Sequence, residues 1–90
     1  MEIVNVHAFL AVVNHGNFSK AAESLYVAQS VLTKRIQSLE KELQRLLFER
    51  QRGRRVVELT PSGMEFVPIA RRFAAAWQDT RNFATGIAMD

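Results

Sequence analysis

Apolar residues recur at helical spacing in three successive stretches of the chain's first half. Val6, Phe9, Leu10 and Val13 share one side of a segment closed by His15-Gly16, where glycine supplies the left-handed residue that commonly ends a helix. This predicts a first helix from about Ile3 to Asn14. A second is predicted to start at Ser19, whose hydroxyl can cap free backbone N–H groups, with small Ala21 and Ala22 where another helix must approach closely. The third runs from about Gln29 into the low forties. Its Leu32, Ile36, Leu39 and Leu43 fall on one side and Ser30, Lys34, Gln37 and Lys41 on the other. The break between the second and third patterns leaves room only for a tight turn, which is the grammar of a helix-turn-helix.

Beyond these helices the period changes. The run Phe48-Glu-Arg-Gln-Arg-Gly-Arg-Arg-Val-Val-Glu-Leu59 has a short apolar piece, a charged glycine-containing tip and a β-branched piece, and reads as a small hairpin. Thr60-Pro61 then offers an N-cap followed by proline at the first helical position, where its missing N–H costs nothing. A long last helix follows, with Phe66, Ile69, Ala70, Phe73, Ala74, Trp77, Ala84 and Ile87 as an apolar stripe interrupted around Thr80 and Arg81. Pro68 lies inside it and is expected to kink it or displace its start. The predicted class is therefore mainly α: a winged helix-turn-helix of three helices and a two-stranded β-hairpin wing over 1–60, followed by a long C-terminal linker helix over 61–90.

Composition narrows the partners. The chain has 90 residues, 48% of them hydrophobic, and 12 Lys and Arg against 9 Asp and Glu. That excess is small but concentrated: Lys34, Arg35, Lys41, Arg45, Arg50, Arg52, Arg54 and Arg55 face only Glu40, Glu42 and Glu49 in the same stretch, so a polyanionic partner is expected. With no cysteine and two histidines, His7 and His15, whose spacing matches no metal motif, neither disulfides, a metal site nor a cofactor is expected. Gly53 and Gly63 form no phosphate loop, and no nucleophile, acid and base set asks for an enzyme. No apolar run approaches the length of a membrane span, and the N-terminus carries Glu2 where a signal peptide would carry cations, which makes a cytoplasmic location the expectation.

The order of these pieces resembles the N-terminal DNA-binding domain of LysR-type transcriptional regulators. The resemblance runs through Phe9 and Val13, Asn17 to Leu25, Gln29 to Glu40, Leu47-Phe48-Glu-Arg50 and Leu59-Thr60-Pro-Ser-Gly63. It implies a bacterial, sequence-specific regulator domain that binds double-stranded DNA at a pseudo-palindromic site as a homodimer, its linker helices paired antiparallel. It also implies an effector domain beyond the residues of this chain. Three departures stand out. Gln44 occupies a position that is usually glycine, so the recognition helix is expected to run farther or leave differently, and Ser30 often has proline as its counterpart. The wing tip, Gln51 to Arg55, is about two residues longer than the usual pattern.

Candidate contacts follow from side-chain chemistry. Gln29 can pair bidentately with adenine from the first turn of a recognition helix, and the resemblance places a DNA-contacting glutamine there; capping of its own helix is the competing role. Ser30, Thr33 and Lys34 share that side and complete the base-contact set. Ser19 and Lys20 suit a phosphate at a helix start, with Gln37 either on the backbone or merely solvated. Arg50, Arg52, Arg54 and Arg55 outnumber nearby acids and point to the backbone or minor groove. Tyr26, Phe48 and Phe73 read as core. Ile69, Phe73, Trp77 and Ala84 are the dimerisation candidates. The same surface could instead serve a winged-helix protein-interaction module or a nonspecific DNA-binding protein.

Overall fold

A computed structural model describes residues 1–49 and 56–86 and contains four helices among them: α1 (Ile3–His15), α2 (Phe18–Ser24), α3 (Gln29–Leu43) and α4 (Pro61–Thr85). α1 is the hub. It packs against α2, α3 and α4, while α2 and α3 pack on each other. Val6, Phe9 and Val12 of α1, Ala21 and Ala22 of α2, and Leu32, Ile36 and Leu39 of α3 are buried together, so the apolar stripes read from the sequence are the faces that meet. Leu10, Val13 and Leu43 are half-buried at its margin. Phe9 is the aromatic centre, with ring centroids 5.4 Å from Phe48 and 5.1 Å from Phe66, and Phe18 reaches Phe48 at 5.9 Å.

The helix ends correct several expectations. α1 stops at Gly16, in the left-handed conformation at φ 67°, as its sequence predicts. α2 begins one residue before Ser19, because Asn17 is the N-cap and its side chain accepts from the Lys20 N–H at 3.0 Å. Gln44 does not prolong α3: it takes the left-handed cap itself, at φ 57°, and bears the strain that glycine would avoid. Tyr26 is not core. It sits in the turn between α2 and α3 at φ 57° and is 95% exposed, because the turn needs a left-handed residue there and its side chain points away from both helices. Phe48 is buried and Phe73 half-buried.

Between α3 and α4 the described residues show no β-strand, only one antiparallel bridge, Phe48 to Leu59, with Glu49 N–H donating to the Glu58 carbonyl at 2.8 Å. The expected hairpin tip, and with it Arg50, Arg52, Arg54 and Arg55, lies outside the described residues. The base of this connection is nonetheless tied down at three places. Glu40, only 6% exposed, accepts from the Leu47 N–H at 2.8 Å. Thr60 donates its N–H to the Leu47 carbonyl at 3.0 Å and its hydroxyl to the Leu46 carbonyl at 2.6 Å, while capping α4 by accepting from the Gly63 N–H at 2.9 Å. Val57 N–H donates to the Gly16 carbonyl at 3.0 Å, returning the chain to the α1–α2 corner.

α4 is one helix of 25 residues that passes through Pro68 without interruption and starts at Pro61, so the proline does not displace its start. Its first turns belong to the core through Gly63, Phe66 and Ala70. From Ala75 to Gly86 every residue is exposed, including Trp77 at 39% and Phe83 at 84%. At about 1.5 Å per residue the helix is roughly 38 Å long, which accounts for the elongated 52 × 26 × 19 Å envelope.

Candidate nucleic-acid interface

The spacing of polar residues along α3 gathers them on one side of the helix. At 3.6 residues per turn, Gln29, Thr33, Gln37, Ser30 and Lys34 fall within an arc of roughly 140°. Leu32, Ile36 and Leu39 lie outside that arc and are fully buried, so the polar arc faces outwards. Gln29, Ser30, Lys34 and Gln37 are exposed and Thr33 is half-buried. The helix starts from Ala28, whose side chain cannot cap, so no side chain takes the first-turn N–H groups. Gln29 does not cap its own helix. Its Oε1 instead accepts a hydrogen bond from Ser19 Oγ at 2.8 Å.

That bond joins the starts of α2 and α3 on one surface. The sequence placed Ser19 and Lys20 on one helix and Gln29 on another; the fold brings them into one groove lined by Asn17, Ser19, Lys20, Glu23, Gln29 and Val57. Asn17, Glu23 and Val57 were missed as neighbours of the candidate contacts. Asn17 was within reach of a sequence reading, since asparagine is as good an N-cap as serine; Val57 was not, because its place depends on the hydrogen bond to Gly16. Glu23 lines the same groove as Lys20, so carboxylate and cation share it.

The remaining candidates separate into other regions. Ile69, Trp77 and Ala84 are exposed on α4 and Phe73 half-buried, well along the helix from the groove, while Ile87 lies outside the described residues. His7 and His15 are exposed on α1, and no group of three or more His, Cys, Asp or Glu capable of holding a metal occurs among the described residues. No helix among them is long and apolar enough to cross a membrane.

Residues 3–64 match the family model for bacterial regulatory helix-turn-helix proteins of the lysR family. The chain belongs to the LysR family. Among its relatives, an uncharacterised HTH-type transcriptional regulator from the ibpB-leuC intergenic region of Azotobacter vinelandii is 42% identical over 81 residues, 90% of this chain and 55% of that protein. HTH-type transcriptional regulator ClcR of Pseudomonas putida is 43% identical over 72 residues, 80% of this chain and 24% of ClcR. The chain thus spans about half of the first relative and about a quarter of the second. Among solved structures, the BenM DBD in complex with benA site 1 DNA superposes with a TM-score of 0.83 at 38% identity, covering 98% of this chain and 100% of that one. The CbnR DBD–DNA complex gives 0.86 at 34% identity, covering 99% and 100%. The four-helix arrangement is therefore that of LysR-type winged-helix DNA-binding domains.

Proposed function

We propose that this chain is the sequence-specific DNA-binding domain of a dimeric LysR-type transcriptional regulator, with α3 entering the major groove. The observation that carries this reading is the joined groove at Ser19 and Gln29, beside which the N-terminal half of α3 exposes an amide, hydroxyls and a cation. Gln29 pairs with an adenine edge, Ser30 and Thr33 offer hydroxyls, the Thr33 methyl suits a thymine, and Lys34 reaches a guanine or a phosphate. Lys20 and Gln37 flank this set and fit the backbone. The basic run of Arg50, Arg52, Arg54 and Arg55, which lies outside the described residues, has the charge to meet phosphates or a narrow minor groove.

The exposed second half of α4 supplies the dimer. A helix that leaves its own core with Trp77 and Phe83 uncovered has an apolar surface suited to a second copy, and two copies paired antiparallel present two recognition helices to a pseudo-palindromic site. The BenM and CbnR domains with which the chain superposes are solved in complex with DNA, which supports the DNA-binding part of this reading. Selection of bound sequences from random duplexes should return a defined site. On that site Gln29→Ala should cost about 1–3 kcal/mol, and much less on random DNA, because a base-edge contact carries information that a phosphate contact lacks. An equal loss on both would remove Gln29 from base reading.

A further inference from the structure

We propose that Ser19 is a positioning residue for base selection: its hydroxyl holds the Gln29 amide in the orientation that accepts adenine and opposes guanine. The inference rests on Gln29 reading a base, as proposed above. Gln29 Oε1 can only accept, so the 2.8 Å contact requires Ser19 to donate its single hydroxyl proton. A proton committed to Gln29 is not available to a phosphate, so holding the amide and donating to the DNA backbone exclude one another. Nor is the hydroxyl needed for the helix, because Asn17 caps α2.

Both backbones beneath this bond are anchored, α2 through buried Ala21 and Ala22 and α3 through buried Leu32 and Ile36, so the bond restrains the amide rather than dragging a loop. An unrestrained glutamine at an exposed position samples several rotamers and can turn its amide over. Held by Ser19, Gln29 keeps one Oε1 lone pair for the adenine N6 amino group while Nε2 donates to N7. Guanine places its O6 acceptor where adenine has N6, and the held amide meets it oxygen to oxygen. A free amide would turn and donate instead. Ser19 therefore raises discrimination without touching the base.

The test compares two duplexes, the selected site and the same site with the Gln29-dependent A·T pair changed to G·C, by fluorescence anisotropy with the wild-type chain and its variants. Ser19→Ala should lower the adenine-over-guanine preference about threefold to tenfold, the range of one hydrogen bond, and leave affinity for random duplexes close to wild type. Ser19→Thr, which keeps the hydroxyl, should retain the preference, and Ser19→Ala should have no further effect on preference in a Gln29→Ala background. An unchanged preference in Ser19→Ala, or an equal loss on every duplex as expected of a phosphate donor, would overturn the proposal while leaving Gln29 as the base reader. A Gln29→Ala variant with wild-type base preference would overturn both.

Discussion

Gly63 carries no functional group, yet its replacement by alanine should be among the most damaging single-methyl changes in this domain. It is the third helical residue of α4, next to the bridge that closes the connection from α3. A Cβ there would lie deep inside van der Waals contact of the Leu47 carbonyl oxygen and 2.8 Å from Leu59 Cδ2. The leucine tip can turn aside. The carbonyl cannot, because it accepts the Thr60 N–H at 3.0 Å, and Thr60 in turn caps α4 through the Gly63 N–H. Making room strains or breaks that backbone bond, worth about 1 kcal/mol, and weakens a cap worth about 1 kcal/mol. Overpacking adds about 1–3 kcal/mol, and the better helix propensity of alanine returns up to about 1 kcal/mol. The net loss should be about 2–5 kcal/mol, a fall in melting temperature of roughly 8–40 °C for a domain of this size. Thermal unfolding followed by circular dichroism reads it directly, with Met64→Ala, an exposed neighbour on the same helix, as a control that should barely move. A Gly63→Ala protein as stable as wild type would show that the connection slides freely over α4, and the argument from close approach would be wrong.

Gln44→Gly should raise stability by about 0.5–1 kcal/mol, because it relieves a left-handed residue at the end of α3; an unchanged urea midpoint would count against strain at that cap. Trp77→Asp should leave the monomer's core intact and convert a dimer to a monomer in sedimentation equilibrium, weakening binding to a two-half-site duplex far more than to one half-site. A variant that remains dimeric would move the interface away from Trp77. Replacing Arg52 and Arg54 together with alanine should weaken binding to all duplexes about equally and flatten the logarithmic salt dependence by up to about two units; an unchanged slope would take these arginines out of the interface.

The amphipathic order of the chain was legible because helical periodicity is local: Leu32, Ile36 and Leu39 declare one face of α3 buried whatever it packs against. The polar arc holding Gln29, Ser30, Thr33 and Lys34 followed from the same spacing, as did Gly16 and the Thr60-Pro61 start of α4. Local chemistry was less decisive where two residues could do one job. Asn17 and Ser19 both suit an N-cap, and the packing of Phe18 beside Phe48 favours the frame that makes Asn17 the cap. Tyr26 lies at a spacing that reads as core, but the turn between α2 and α3 places it in a left-handed backbone conformation with the ring exposed. No spacing rule foretold Glu40 accepting from Leu47, Val57 bonding to Gly16, or Ser19 donating to Gln29. Periodicity and caps depend on neighbours within a turn or two, so the chain alone settles which faces are apolar, where α1 stops and where α4 starts. Which polar groups meet across helices depends on how those apolar faces seat against one another, and only the packed core decides that.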